Sequence, residues 1–267
     1  MHSAALSIML AGVLLAQTGV DDPVEIRLVA NMGVLVSQGE SKVLIDALFA
    51  DVERGVFREP SAQDRDAILN GTGAFEGVDA LLVTHRHADH FNADEVGALL
   101  RGPAPIPVLG PDQVRAELRA SSADADWIAE PAPGEAADSL ARLCGDDAEC
   151  GFSIEARPLF HNHTDENLSY AVTFGGTTIL HLGDADPRYA DFSVWDDVGI
   201  DVVLHNFWFA DSEAGRTVLQ ERWAEARHIA LHVPAVIDRE QAIAKFGEGH
   251  VLVDPGERIT INPGDHD

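Results

Sequence analysis

The most informative stretch of this chain is Asp79-Ala-Leu-Leu-Val-Thr-His-Arg-His-Ala-Asp-His90. It places a predicted strand directly before a cluster of residues that commonly bind metal ions. Its first part, residues 80–84, is an apolar run that predicts a buried strand. Its second part places three histidines and one aspartate within residues 85–90. Imidazole and carboxylate groups are common ligands of divalent cations, and ordinary solvated loop residues rarely reach this density. The stretch therefore predicts a metal site at the end of a strand.

The spacing of the four ligand-type residues predicts two metal ions. His85 and His87 lie two positions apart on the extended end of the strand, so both imidazoles point to the same side and can share one ion. Asp89 and His90 follow in a turn. Because the chain changes direction there, this second pair can face another ion close to the first. One segment therefore supplies half of a dinuclear centre.

The rest of the chain alternates between strand-like and helix-like segments. The first half predicts strands at residues 24–30, 33–37 and 42–46, and helices at residues 93–100 and 111–120, the former with a capping box of Asn92 and Glu95. The second half predicts strands at residues 153–160, 168–174, 177–182, 201–205 and 228–231, and helices at residues 212–226 and 239–246. Two mixed sheets with helices outside bury the most apolar surface. The pattern therefore predicts an α+β fold.

Four further segments accompany the histidine motif in a characteristic order, two before it and two after it. They are Ala30-Asn-Met-Gly-Val-Leu-Val36, Lys42-Val-Leu-Ile-Asp46, Asn167-Leu-Ser-Tyr170 and His181-Leu-Gly-Asp184. With the His-x-His-x-Asp-His motif, they make the chain resemble the metallo-β-lactamase superfamily of metallohydrolases, over about residues 24–261. Within it, the chain is most similar to the ascorbate-6-phosphate lactonase-like and phospholipase-D-like branch. The resemblance implies a four-layer αββα sandwich with two mixed β-sheets and ligands on loops at one edge.

The resemblance also implies that a third histidine joins His85 and His87 at the first ion. His161 and His163 both follow the strand that is predicted to end at residue 160, and either can complete the set. His161 is favoured because it lies at the strand terminus, where the third histidine of the family sits. The other histidine is then expected to face the substrate or to support a ligand.

The last two ligands are likewise implied by the resemblance. Asp184 ends a predicted strand after Gly183, and its two carboxylate oxygens can bridge neighbouring cations. His232 follows an apolar strand and would join Asp89 and His90 at the second ion. The complete predicted ligand set is His85, His87, Asp89, His90, His161, Asp184 and His232.

Two other histidines are candidates for weaker roles. His181 alternates with leucines on a strand, which is typical of a buried or ligand-supporting residue. His205 precedes an aromatic run and is expected near the pocket rim, although core packing is the commoner use of such a run. Residues 49–70 and 207–216 are predicted to be loops that line the pocket and select the substrate.

A dinuclear site of this kind predicts a hydrolase. Two cations that share a water would lower its pKa and present hydroxide to an ester, lactone, amide or phosphoester bond, with Asp89 orienting the nucleophile as the catalytic residue. Histidine and carboxylate ligands favour Zn²⁺, and Mn²⁺ or iron also fit. The alternatives are a non-catalytic exported metal-binding protein and a true β-lactamase.

Composition limits the partners. The 267 residues are 46% hydrophobic and no linker or repeat divides them, so residues 24–262 are predicted to form one domain. The net charge of −27 would repel a phosphate polymer, which favours a small-molecule or lipid substrate over nucleic acid. Past the first residues, no apolar run is long enough to span a membrane. The sequence leaves the oligomeric state open.

The N-terminal residues and the cysteines indicate export. Residues 4–16 are apolar but too short to span a bilayer, so residues 1–19 are predicted to be a signal peptide and the protein to be periplasmic or secreted. Cys144 and Cys150 flank a polar loop and could close a small disulfide in such a compartment. If the protein is cytoplasmic instead, two free thiols are the better interpretation.

Overall fold

The computed structural model describes residues 22–50, 55–121, 127–129 and 151–263. The predicted signal peptide and the predicted disulfide of Cys144 and Cys150 lie outside these residues. In the part of the chain that is described, no helix has both the length and the apolar character needed to cross a bilayer.

The N-terminal half and one C-terminal strand build the first sheet. Its strands are β1 (Val24–Ala30), β2 (Gly33–Gln38), β3 (Ser41–Ile45), β4 (Ala80–Leu82), β5 (Val108–Leu109), β6 (Ile128–Ala129) and, from the C-terminal end, β12 (Arg258–Ile261). Their order is β12-β1-β2-β3-β4-β5-β6. Pairing is antiparallel from β12 to β3 and parallel from β3 to β6, so the sheet is mixed.

The second sheet comes from the C-terminal half and is also mixed. It contains β7 (Phe152–Pro158), β8 (Leu168–Phe174), β9 (Thr177–His181), β10 (Val202–Asn206) and β11 (Arg227–Leu231), in the order β11-β10-β9-β8-β7. Strands β7, β8 and β9 pair antiparallel, whereas β9, β10 and β11 pair parallel. Strands β7, β9, β10 and β11 therefore run in one direction and end at the same edge.

Helices cover the outer face of each sheet. Helices α1 (Ala62–Asn70), α2 (Ala93–Leu100) and α3 (Asp112–Ala120) pack on the first sheet. Helices α4 (Phe207–Asp211), α5 (Glu213–Arg222) and α6 (Arg239–Phe246) lie against the second. The resulting arrangement is the predicted αββα sandwich with two mixed sheets, so the predicted fold class is confirmed.

Alternation along the strands explains why both faces of each sheet are buried. Val43 and Ile45 of β3 point into the core between the sheets, whereas Leu44 packs under the helices of the first sheet. In the second sheet, Leu204 of β10 faces the core between the sheets and Val203 faces the outer helices. Successive side chains of a strand alternate in direction, so strands with helices on one side and a sheet on the other are apolar throughout.

Most predicted elements agree with the structure, and the exceptions have local causes. Helix α1 was not predicted because Ile68 is its only buried residue, so it lacks an apolar stripe; Ser61 and Gly71 cap its ends. The predicted loops at residues 49–70 and 207–216 are wrong in part, because α1, α4 and the start of α5 occupy them. Strand β12, with its alternating burial, and the two-residue strands β5 and β6 were also missed.

The predicted capping box at the start of α2 forms only in part. The Asn92 side chain accepts hydrogen bonds from the backbone N–H groups of Asp94 and Glu95, as a helix N-cap does. The Glu95 carboxylate pairs with Arg65 of α1. The cap therefore holds the helix end, and the glutamate joins two helices.

Gly183 lies where the two sheets approach each other closely, at the edge where the strands end. Its φ of 57° lies in the left-handed region, and a Cβ there would approach Asn167 Oδ1 to 2.3 Å and Thr84 Cβ to 2.9 Å. Asn167 Oδ1 in turn accepts the backbone N–H of Asp184 at 3.1 Å. A glycine is therefore required both for the turn and for the close approach of β4's extension.

We expect Gly183→Ala to destabilise the fold by about 3 kcal/mol, the sum of a left-handed backbone cost and the steric clash. Gly77→Ala is the matched control, because Gly77 has a φ of 70° but nothing lies within 4 Å of its added Cβ. The control should lose only about 1 kcal/mol. Urea unfolding of both variants with metal chelated measures the difference, and equal losses would contradict the steric argument.

Candidate metal centre

The seven predicted ligand residues come together at the edge where β4, β7, β9 and β11 end. Their ligand atoms form three groups, within each of which all atoms lie within 4.8 Å of one another: His85, His87 and His161; His85, His90 and Asp184; and Asp89, His90 and His232. The first two groups share His85 and the last two share His90. The groups therefore form one continuous row, with Asp184 between the outer two.

In the first group, hydrogen bonds determine which ring nitrogen of His85 and of His161 carries the proton. The Thr84 hydroxyl donates to Asp46 at 2.6 Å, so its oxygen is left to accept Nδ1–H of His85 at 3.0 Å. His161 donates its Nδ1–H to the backbone carbonyl of Asp184 at 2.6 Å. The Nε2 atoms of His85 and His161 are buried and have no hydrogen-bond partner. Two bare, buried acceptors of this kind fit a cation.

His87, the third member of this group, is held from the surface side. Its Nε2 lies 3.1 Å from Asp165 Oδ2, which leaves Nδ1 available as the ligand atom. Asp165 also accepts hydrogen bonds from Thr164 Oγ1 at 2.7 Å and from Arg86 Nε at 2.8 Å. Burial acts to raise the pKa of Asp165, but these hydrogen bonds outweigh it and hold that pKa well below its usual range. Asp165 is therefore ionised and orients His87.

The third group contains two imidazole nitrogens that face each other. His90 donates Nδ1–H to Asp46 at 2.8 Å, and its Nε2 lies 3.2 Å from Nε2 of His232. Two lone pairs at this distance repel each other unless a proton or a cation lies between them. Burial acts to lower the pKa of His90, yet the carboxylates of Asp184 and Asp46 raise it well above its ordinary value. The surroundings therefore favour positive charge at this point.

The carboxylates of Asp89 and Asp184 face the same histidines. Oδ2 of Asp89 lies 3.1 Å from Nε2 of His232, and Oδ2 of Asp184 lies 3.5 Å from Nε2 of both His90 and His232. Burial acts to raise the pKa of each carboxyl group, but the neighbouring histidines lower both pKa values. Both groups are therefore ionised, as metal ligands must be.

Asparagines hold these two carboxylates in place. Asn31 Nδ2 lies 3.0 Å from the backbone carbonyl of Asp89 and 3.3 Å from its Oδ2. Asn206 is the N-cap of α4, and its Nδ2 lies 3.4 Å from Asp184 Oδ1. The side-chain amide of Asn206, the last residue of β10, therefore contacts a predicted ligand of the centre.

Backbone strain is concentrated at the centre. Within the described ranges, three residues other than glycine have a positive φ: Asn31 at 54°, Asp46 at 48° and His232 at 60°. Left-handed conformations cost free energy for these residues and persist where the surroundings hold them. The backbone N–H of His232 donates to the Asn31 carbonyl at 3.0 Å, which holds two of the three together. The strain therefore accompanies the placement of His232 and of the residues that support His90 and Asp89.

The remaining candidate histidines lie outside the three groups. The His163 ring packs edge-on against Phe160 with centroids 5.3 Å apart. His181 donates Nε2–H to the Met32 carbonyl at 3.0 Å, and its Nδ1 accepts the Gly183 N–H at 3.1 Å, so both nitrogens are used within the core. Of the two histidines after β7, the structure thus brings His161 to the centre.

His205 lies on the helix-covered face of β10, because its neighbour Leu204 faces the other sheet. Its Nδ1 donates to the Asn206 carbonyl at 3.0 Å, and burial lowers its pKa to about 4. It lines a separate cavity of about 440 Å³ with His228 and Lys245. The expected position of His205 at the pocket rim is therefore wrong.

Two cavities adjoin the centre beside His161. One of about 560 Å³ is lined by the segment from Pro158 to Leu168 and the start of α3. The other, of about 480 Å³, is lined by Phe160, His163 and Tyr189 among others. On the opposite side, the rings of Phe57 and Trp208 lie against His232. A small molecule therefore has access to the row of ligand groups from the His161 side, and aromatic rings border the His232 side.

Comparisons with known proteins give a family model and two curated relatives that match the chain. A family model described as a beta-lactamase superfamily domain matches residues 41–244. The chain is 27% identical over 152 residues to Ribonuclease Z of Mycobacterium tuberculosis, strains H37Ra and H37Rv. The match covers 53% of this chain and 52% of each relative, so the chain spans about half the length of the curated relatives it matches.

Solved structures share the fold at low sequence identity. A possible metal-dependent hydrolase from Veillonella parvula has a TM-score of 0.58 and 18% identity, over 90% of this chain and 99% of that one. The metallo-beta-lactamase fold protein YhfI from Bacillus subtilis has a TM-score of 0.58 and 16% identity, with the same coverage. Human tRNase Z, short form, has a TM-score of 0.55 and 14% identity, over 90% and 100%. The predicted resemblance is confirmed at the level of the superfamily, whereas the lactonase-like branch stays a prediction.

The sequence did not reveal the residues that orient the ligands. Asp46, Asp165, Asn31 and Asn206 each lie far along the chain from the side chain they support. Asp46 belongs to a segment that carried the resemblance, but nothing in its sequence neighbourhood indicates a contact with His90. For Asn31, Asp46 and Asn206, a polar residue at or directly after the end of a strand was the available signal, and Asp165 had none.

The two orienting carboxylates should affect cation binding at different ligand groups. We expect Asp46→Asn to weaken binding of the cation held by His90, and Asp165→Asn to weaken the one held by His87, each by about 10- to 100-fold. Chelator competition monitored by metal analysis gives both dissociation constants, and circular dichroism checks that each variant is folded. Two unchanged affinities in either variant would contradict the assigned contact.

Proposed function

Because the chain belongs to the β-lactamase superfamily, we propose that it is a metal-dependent hydrolase whose site holds two divalent cations. The observation that carries the proposal is the continuous row of three ligand groups, which share His85 and His90 and have Asp184 between the outer pair. A single ion would need only one such group. The all-histidine and carboxylate donor set favours Zn²⁺, with Mn²⁺ or iron as alternatives.

The residues of the proposed site have different roles in binding the cations and in hydrolysis. When bound, the two cations would supply Lewis acidity that acidifies a water and polarises the substrate oxygen. The three-histidine group holds one end of the row, and Asp184 lies between the ends with two oxygens to share. Asp89 is ionised and lies at the end with His232, so it is placed to orient a water and to accept its proton.

The substrate is proposed to be a small molecule or lipid with an ester, lactone, amide or phosphoester bond. The net charge of −27 acts against a polyanion at long range. The curated relatives are named ribonucleases, so the comparisons lend no support to the predicted exclusion of nucleic acid. RNA therefore belongs in any test of the substrate.

Metal analysis and a substrate panel test the proposal together. We expect two metal ions per purified chain, and turnover of at least one member of a panel of lactones, esters, thioesters, phosphodiesters, β-lactams and a short RNA. A chelator should abolish that turnover, and added Zn²⁺ should restore it. Less than one ion per chain with no turnover would instead favour a non-catalytic metal-binding protein, and turnover confined to β-lactams would favour a true β-lactamase.

Replacing Asp89 separates catalysis from folding. Asp89→Asn should keep the fold and lower kcat by about 100-fold or more, because the amide cannot accept the proton of the water. Asp66→Asn is the matched control, since Asp66 is an exposed carboxylate on α1 and should leave kcat unchanged. Wild-type rates in Asp89→Asn would refute the role given to Asp89.

A further inference from the structure

An exposed apolar surface borders the end of the site that holds His232. It consists of Val56, Phe57, Trp208 and Val236, which we call the apolar rim. Val56 and Trp208 are each 40% exposed and Val236 is 84% exposed. They are three of the four large exposed hydrophobic side chains among the residues that the structure describes. Such a concentration beside a site indicates a binding surface.

The rim is continuous with the metal centre. The Phe57 ring meets the His232 ring edge-on with centroids 4.3 Å apart, and the Trp208 ring lies 4.5 Å from the same imidazole. Phe57 and Trp208 lie 6.3 Å from each other. The backbone N–H of Ala235 donates to the Val56 carbonyl at 2.9 Å, which ties the segment after His232 to the segment that carries Phe57.

Local structure forces Trp208 outward. It is the second residue of α4, between Phe207 and Phe209, which are both buried. Asn206 caps this helix and also contacts Asp184, so the position of the indole is set by the same residue that supports the centre. The exposed indole is therefore positioned by the same helix cap that contacts the metal centre.

Three arginines near the site are paired among the residues that the structure describes: Arg58, Arg86 and Arg188. Arg58 lies 3.2 Å from Asp254 and donates to the Ile237 carbonyl, and Arg188 lies 2.7 Å from Asp186. Arg86 contacts Asp165, as described above. Their charge is balanced by neighbouring carboxylates, so these groups are poorly suited to recognise a phosphate. On the His232 side, the exposed side chains of the described rim offer apolar contact.

We propose that the apolar rim binds the acyl chain or ring of an uncharged carboxylic ester, lactone or amide, and so selects the substrate. This inference rests on the hydrolase function proposed above. The acyl group then extends from the reacting carbonyl along His232 to Phe57 and Trp208. The two cavities beside His161 lie on the other flank and do not receive it.

A chain-length series tests the rim. The wild-type protein with two Zn²⁺ bound is assayed with p-nitrophenyl acetate, butyrate, hexanoate and octanoate, and kcat/KM should rise about two- to fourfold per methylene. Trp208→Ala should remove most of this dependence, whereas Trp208→Phe should retain it. Tyr189→Ala removes an exposed aromatic residue from the other flank and should leave the dependence intact. A dependence lost in Tyr189→Ala but kept in Trp208→Ala would overturn the proposal.

A binding measurement separates the rim from the chemistry. Linear alkyl hydroxamates of increasing length are titrated calorimetrically into the same four proteins, and the dissociation constant should fall per methylene in all except Trp208→Ala. Chain-length-dependent binding without turnover of these esters or of any member of the substrate panel would refute the hydrolase and keep the rim. Turnover or binding that ignores chain length would refute the rim alone, and no binding at all would refute it as well.

Two other occupants of the rim are outcomes of further measurements. Sedimentation of the wild type and of Val236→Ser would reveal a dimer that depends on the rim, and flotation with uncharged phosphatidylcholine vesicles would reveal membrane attachment. A rim-dependent dimer or vesicle binding, combined with no chain-length dependence, would overturn the substrate proposal. A monomer that stays off the vesicles supports it.

Discussion

The carboxylate of Asp46 accepts hydrogen bonds from the backbone and hydroxyl of Thr84 and from His90, and through Thr84 it also fixes the proton of His85. These contacts determine which nitrogen of each histidine is unprotonated and faces the other ligands. A buried negative charge of this kind is stable only when donors surround it. The centre therefore depends on one aspartate that need not touch a cation.

The architecture explains why the ligands converge. Strands β4, β7, β9 and β11 all end at one edge of the two packed sheets, and β3 ends there with Asp46. Short loops after the strands carry the ligands, so the rigid strands set their separation within narrow limits. Gly183 and Asn167 allow the two sheets to approach closely at this edge, which brings Asp184 within reach of histidines from the first sheet.

In the proposed hydrolase, reaction chemistry and substrate choice would be carried by different parts of the molecule. The ligand row comes from strand ends, whereas the surfaces on either side of it come from α4, from the segment before α1 and from the segment that follows β7. Such segments can vary without disturbing the buried network that orients the ligands. Substrate selection in this protein is therefore expected to reside in exposed aromatic and apolar side chains, with the cations and carboxylates supplying the common chemistry.

Two features could be predicted from the sequence because they are local: apolar strands with helices between them, and a histidine motif directly after one strand. The layer order of the sandwich and the ligand candidates His161, Asp184 and His232 came from the resemblance that the ordered motifs carry. The sequence could not determine that His161, and not His163, reaches the centre, that His205 faces away, or that α1 and α4 replace predicted loops. The orienting contacts of Asp46 and Asp165 were equally hidden. These features depend on which residues distant in sequence become neighbours, and only the packing of the two sheets and their strand ends decides that.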